Sequence, residues 1–324
     1  MSERFFYHSF PRPRQSMAGE PAKGLKILSS ICQNGLLLVP ESVSWSDPSA
    51  TQATDRIRAI QRRICFTELA PEELQTHAKV FGAFALEFTV SNLRQFGAMP
   101  IFYVPDSPDA SFDLSGVATS LLGRLADARQ IIECVAAMAQ LSGPTIEIDL
   151  KMKDGALRTR KFNEIETRAI QDYARFLSAG PGQPLQEIAS ALNALASIFY
   201  PTENLQFNEP LAYYRQREWR IFSGMHLGGK PVTQPTTPRQ QQELIEIDSN
   251  FFSRTVTFPD GTWTRAQKSH YFQNIGGNSV LSRVNRIIVP ASFAESAKAI
   301  LREANVNLAV VPLENLGENG IEQS

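Results

Sequence analysis

Few residues in this chain could do chemistry, and the informative ones come in short strand-like groups. His8 sits in Phe5-Phe6-Tyr7-His8-Ser9-Phe10, a run that reads as a strand stopped by Pro11. A strand presents a given side chain to one face only. If that face lines a cleft, His8 can hydrogen-bond a ribose hydroxyl or a phosphate; otherwise it is a strand-end histidine bonded to backbone or water. Glu218-Trp219-Arg220-Ile221-Phe222, preceded by Arg217, reads as a second such strand. Glu218 and Arg220 then share one face, starting ~7 Å apart, while Trp219 and Ile221 fill the other. The arginine can hold an anion or fix the carboxylate's rotamer. The carboxylate in turn can act as a base or steady an oxocarbenium-like centre. The competing reading is a structural ion pair beside a core tryptophan.

Two other groupings carry less. Cys65 with His77 would be a thiol and its base, but Cys65 lies between Ile64 and Phe66, where a small buried hydrophobe is the usual occupant. Glu147 and Asp149 alternate on a strand and read as its solvated side. The three cysteines and four histidines are scattered, without zinc or disulfide spacing, and no phosphate-loop or nucleophile-elbow motif occurs. No metal is expected. Free thiols and the lack of a secretory leader or a long apolar run lead to the expectation of a cytoplasmic protein that does not cross a membrane.

The elements that must position these residues follow from pattern and punctuation. Leu25–Cys32 reads as a helix stopped at Asn34-Gly35, Arg63–Thr67 as a strand, and Pro71-Glu72-Glu73 as a helix start. Strands are expected at Ala83–Thr89 and Pro100–Val104, with a helix at Val90–Phe96 between them. From residue 105 the character changes: a loop at 106–109, one long helix or two short ones over Leu114–Leu141, a hairpin turning at Asp154-Gly155, and helices over Ile165–Leu177 and Leu185–Tyr200. Pro235–Gln242 reads as a polar loop. Ile287–Val289, the helix Phe293–Glu303 and the strand Leu308–Val311 close the chain. The expected organisation is an α+β core of residues 1–104 and 205–316, a helical insertion or subdomain of 105–204, and a frayed tail of 317–324. The 324 residues are 43% apolar and 20% charged, enough for a real core, and 32 basic against 33 acidic residues leave a net charge of -1. That balance supplies no global field for nucleic acid or an anionic membrane.

Several segments together resemble a family. Tyr7-His8-Ser9 followed by GLKILSSICQNGL at 24–36 resembles the opening of ADP-ribosyltransferase-like groups, including RNA 2′-phosphotransferases and DarT-type toxins. The stretch ICFTELAPEELQTHAKVFGAFALEFTVSNLRQFGAMPIFYV at 64–104 is similar to the AbiGi-type abortive phage-infection family. So are FNEPLAYYRQREWRIF at 207–222 and RVNRIIVPASFAESAKAIL at 283–301. Ser9 and Phe10 stand where the transferase groups often carry Thr. The resemblance implies phage defence and a split β-sheet with NAD in the cleft, possessed of an early histidine on the ribose and a late glutamate at the ribosyl centre. His8 and Glu218 match those two roles. Tyr7, Ser9, Tyr103 and Arg220 are the implied cofactor contacts, Tyr103 by stacking and Arg220 at the diphosphate. Two activities follow: an ADP-ribosyltransferase or NAD-cleaving toxin, or a non-catalytic antitoxin or sensor that keeps the fold. The implied partners are NAD or another nucleotide and the other half of a toxin–antitoxin pair.

Overall fold

The computed structural model describes residues 4–12, 21–46, 56–104, 115–151, 157–179, 185–201, 217–224, 226–227, 230–258, 261–275 and 278–316. The loop expected at 106–109, the turn at Asp154-Gly155 and the tail 317–324 lie outside these. The chain is mixed α+β, and contacts divide it into two units: residues 1–119 with 197–324, and residues 120–196.

The first unit is built on a ten-stranded sheet. In chain order its strands are β1 (Phe5–Phe10), β2 (Leu36–Ser46), β3 (Arg56–Leu69), β4 (Phe84–Phe88), β5 (Met99–Pro100), β6 (Glu218–Phe222), β7 (Gln234–Pro235), β8 (His270–Phe272), β9 (Arg286–Val289) and β10 (Ala309–Pro312). The main path runs β7-β8-β2-β3-β1-β4-β9-β10; β6 pairs β3, and β5 pairs β6. All these pairs are antiparallel except β9 with β10.

Alternation sorts the side chains onto two faces. Phe6, Phe10, Ile64, Phe66, Leu86, Ile221 and Ile287 share one core with Leu28 and Ile31 of the helix Pro21–Asn34 and Ala297 and Leu301 of the helix Ala294–Glu303. A smaller cluster of Tyr7, Ala85 and Ile288 gathers Leu74 of the helix Leu74–Phe81. At ~25 cal/mol per Å² of apolar surface, side chains this completely buried supply most of the driving force.

The geometry of β3 decides where a cleft can form. Arg63 is opposite both Val39 of β2 and Phe222 of β6, so β2 and β6 lie on different edges of β3. Thr67 is opposite both Tyr7 of β1 and Glu218 of β6, so β1 and β6 also lie on different edges. A strand has two edges, so β1 and β2 share one, end to end. Their ladders leave Ile64–Phe66 without a strand partner on that edge.

Three sequence expectations need correction, and one strand had no expectation at all. The strand Pro100–Val104 is broken: Ile101 donates to the Glu218 carbonyl, and Phe102–Val104 leaves to pair in parallel with Phe199–Pro201. The helix over Leu185–Tyr200 stops at Ser197, and Tyr200 is on that short strand, where the residue before Pro201 prefers extended backbone. Pro235–Gln242 is not loop throughout, because a helix starts at Pro238. Thr237 and Gln240 form a capping box there, with Pro238 in the first turn. Strand β2 follows the stop at Gly35 (φ 87) at once, although Pro40 interrupts its pattern. The β8 ladder on β2 ends at Leu38, so Pro40 falls where only β3 pairs and one missing N–H is tolerated.

The second unit holds the helices Glu164–Ala179 and Leu185–Ser197, most of the single long helix Ser115–Gln140, and a two-stranded ribbon, Ile146–Lys151 with Leu157–Phe162. Glu147 pairs with Lys161 at 2.6 Å and Asp149 accepts from Thr159 at 2.6 Å, an ordinary solvated strand face.

Gly82 ends the helix Leu74–Phe81 at φ 118, and a Cβ there would lie 2.4 Å from the Pro11 carbonyl oxygen. Gly82→Ala is therefore expected to destabilise the protein by roughly 1–3 kcal/mol, from the strained backbone alone. Chemical denaturation checks this, and an unchanged midpoint would contradict it.

Candidate functional site

At the gap in β3's edge lies a cavity of ≈ 310 Å³, within the ~300–1,000 Å³ of small-molecule pockets. It is lined from β1 by Tyr7, His8 and Ser9, from β2 by Glu41, from β3 by Arg63, Cys65 and Thr67, and from β6 by Glu218 and Arg220. Arg12, His77, Tyr200, Phe251 and Arg265 close it.

The register accounts for most of this wall. Glu218 is opposite Thr67, Arg220 opposite Cys65, and Phe222 opposite Arg63, so the odd residues of β3 and the even residues of β6 share one face. Trp219, Ile221, Ile64 and Phe66 go to the core on the other. Tyr7 is opposite Thr67 and joins the site face, which puts His8 on the core side with Phe6 and Phe10. His8 nonetheless lines the cavity because, among the described residues, no strand fills the edge beside Cys65. Its Nδ1 donates to the Cys65 carbonyl at 3.0 Å, and its ring lies 5.8 Å from that of Phe66.

That bond fixes what His8 can do. A carbonyl only accepts, so Nδ1 carries the proton. Burial pushes the pKa of His8 down to about 4, against the smaller upward pull of the carbonyl. The neutral ring therefore keeps a bare lone pair on Nε2. It suits a donor such as a ribose hydroxyl, and it is the wrong charge for a phosphate.

Glu218 is held by more partners than the sequence suggested. Arg220 Nε donates to its Oε1 at 2.7 Å and Arg220 Nη2 to its Oε2 at 2.9 Å, a fork-to-fork pair. The Tyr103 hydroxyl donates to Oε2 at 2.9 Å, and the Cys65 thiol also hydrogen-bonds the carboxylate. Burial pushes its pKa up, but Arg220 first and Arg63 next overcome this and hold it at about 2. The Cys65 thiol is pushed up to about 12, by burial and then by the Glu218 charge. It is not a thiolate, and the nucleophile reading of Cys65 with His77 fails on that ground.

The remaining predicted residues separate. Tyr103 is not among the described residues that line the cavity; its hydroxyl steadies Glu218. Tyr7 does line it, but its hydroxyl is committed to Glu87 at 2.9 Å, a buried carboxylate also bound by Arg286 Nε at 2.9 Å. Ser9 Oγ meets His77 Nδ1 at 3.4 Å, and His77 stacks on Phe81 at 4.3 Å. Burial and then Arg12 push His77 down to about 4.

Sequence reasoning missed Arg12, Glu41, Arg63, Tyr200 and Arg265. The Tyr200 ring lies under two guanidinium groups, 4.9 Å from Arg63 and 4.7 Å from Arg220. Arg265 lies 4.5 Å from the Phe251 ring. The one available signal was parity: Arg63 is two residues before Cys65, on the face that β6 completes. Among the described residues, four buried nitrogens on the cavity's residues have no hydrogen-bond partner: Arg63 Nε, Arg220 Nη1, Arg265 Nε and His77 Nε2. Each unmet buried polar group costs about 1–3 kcal/mol, and the three guanidinium N–H groups gathered around one cavity suit an acceptor.

Among the described residues no group of three or more His, Cys, Asp or Glu could hold a metal ion, and no helix is long and apolar enough to cross a membrane. No family model, no curated protein and no solved structure matches this chain.

The histidines give a pH prediction. His8, His77 and His270 are each pushed from 6.5 to about 4, chiefly by burial, so the unfolded chain binds more protons between those values. Stability should fall as pH drops from about 6.5 towards 4, by up to about 1.4 kcal/mol per unit per histidine. Glu218 adds nothing in most of that window: its contribution is present above about 4.5 and is lost towards about 2. Melting temperatures from pH 7 to 4.5 should therefore decline less steeply in His77→Gln than in the parent. Parallel curves would refute this.

Proposed function

We propose that the protein binds a phosphorylated nucleotide of the NAD class in the cleft at the β3 edge, and that it serves phage defence of the abortive-infection type. The observation that carries the binding is the ring of arginines with unmet buried N–H groups around a cavity that also presents His8. The guanidinium groups suit phosphate oxygens, the His8 lone pair suits a ribose hydroxyl, and Tyr200 and Phe251 supply aromatic surface. The gap in the sheet supports the ADP-ribosyltransferase-like reading of the core, since the cofactor cleft of that fold opens between two halves of a split sheet. The defence role rests on the sequence resemblance alone.

Of the two activities, the geometry favours the non-catalytic one, an antitoxin or sensor. Both oxygens of Glu218 are engaged by Arg220, so little uncompensated negative charge is left for an oxocarbenium-like centre. The catalytic reading, an ADP-ribosyltransferase or NAD-cleaving toxin, is favoured by one fact: His8 and Glu218 line the same cavity.

Thermal shift with NAD and ADP tests the binding, because a ligand at 100 times its dissociation constant should add ~2.7 kcal/mol. No shift with either would overturn the nucleotide reading. Nicotinamide release then separates the activities. Glu218→Gln leaves Arg220 charged and buried without its counter-ion, and loss of one partner of a buried pair costs ~3–5 kcal/mol. The binding reading expects a lower melting temperature and no nicotinamide release by either protein. Release by the parent that falls 100-fold or more in a folded Glu218→Gln protein would instead establish catalysis.

A further inference from the structure

Glu41 is the acid in this cavity whose surroundings the function has not yet used. It projects from β2 beside Arg63, whose Nη2 donates to its Oε2. Arg63 holds Gln61 through Nη1, and its Nε has no partner. The charges around the cavity do not balance. Arg12, Arg63, Arg220 and Arg265 give four positive charges, Glu41 and Glu218 give two negative ones, and His8 and His77 are neutral, so 4 − 2 leaves +2. The two acids also differ in how they are held. Glu218 is gripped through both oxygens and its side chain is 9% exposed; among the described residues Glu41 is bound by Arg63 alone, and its side chain is 41% exposed. The fields of Arg63, Arg220, Arg12 and Arg265 all reach Glu41 and hold its carboxyl below the usual carboxylate range.

A carboxylate paired with Arg63, and within the field of three more guanidinium groups of the same cavity, sits where an anion is stabilised. It brings one charge and two oxygens to a wall that has an excess charge of two and unmet N–H groups on three arginines. A diphosphate brings more charge and tetrahedrally arranged oxygens, which answer donors from several directions. We propose that Glu41 is a built-in counter-anion that occupies the seat of the ligand's diphosphate and gives it up when the ligand enters. Glu41 thereby lowers the affinity for every anion and selects those with two or more negative charges, since only they regain from the arginines more than the carboxylate surrenders. The same residue helps to stabilise the cavity, because without it four cations would share the single carboxylate of Glu218 in one small space. The proposal rests on the nucleotide reading for the rest of the ligand, but the seat itself is defined by Arg63, Arg220, Arg265 and Glu41.

The probe is inorganic pyrophosphate, titrated calorimetrically into the parent protein, Glu41→Gln, Glu41→Ser and Arg63→Gln, with sodium acetate as the singly charged control. Glu41→Gln should bind pyrophosphate at least ~10-fold more tightly than the parent. Acetate should bind the Glu41 variants and not the parent, and Arg63→Gln should lose pyrophosphate binding. Equal or weaker pyrophosphate binding by Glu41→Gln overturns the proposal, as does the absence of pyrophosphate binding in every protein. If neither Glu41 variant folds, Glu41 is a structural counter-ion and the proposal falls. The nucleotide reading fails separately. Tight pyrophosphate binding without any response to NAD or ADP leaves the seat and removes the nucleotide, whereas NAD binding that is identical in parent and Glu41→Gln does the opposite.

Discussion

A strand has two edges, and β3 is asked to serve three partners. Strand β6 takes one edge over Arg63–Thr67, and β2 and β1 must divide the other. Because they meet end to end without touching the same residues, the backbone from Ile64 to Phe66 has one edge free of strand pairing. Buried carbonyls are seldom left unpaired, and the Cys65 carbonyl is answered by a side chain, His8, where a strand would otherwise do so. That substitution seals the core and opens the cleft together. It sets the His8 tautomer, and it lets a residue whose register belongs to the core side reach the cavity.

The second constraint is charge in a confined, poorly solvated space. Arg220 is 2% exposed and Glu218 8%, so neither could be held there without the other. Tyr103 and Cys65 complete the carboxylate, which leaves Arg220 Nη1 over. Arg63 is likewise satisfied by Gln61 and Glu41 on two nitrogens and left over on the third. A folded protein that tolerates several such remainders in its core would be unstable for no return. They are concentrated around one cavity, where the rings of Tyr200 and Phe251 lie against the guanidinium groups.

Much of the fold was legible because it rests on local rules. Alternation identified Phe5–Phe10 and Glu218–Phe222 as strands, and the Gly35 stop placed the end of the first helix. That Glu218 and Arg220 are neighbours also follows from sequence, since two residues on one face of a strand stay side by side wherever the strand goes. The misread segments are those where a local rule was outvoted or overlooked. Tyr200 reads as the end of an amphipathic helix until Phe102–Val104 offers it a strand partner. The polar Pro235–Gln242 hides a capping box whose helix buries Leu244 against Phe252 and Tyr271.

The sequence by itself determined which residues share a face within each strand, and so which of them could act as a unit. It could not determine which strands meet. The cavity takes His8, Glu41, Arg63, Glu218 and Arg265 from five separate stretches of chain, and nothing in any one stretch records the others. Pairing across β3 is a long-range choice made by the whole sheet as it buries its apolar face, and a one-residue slip would turn Arg63 into the core. Whether Glu218 is a free carboxylate or a closed ion pair was likewise undecided until Tyr103 and Cys65 came within reach of it. That is the physical reason the tertiary structure alone distinguishes an arginine-lined cavity from a list of scattered charges.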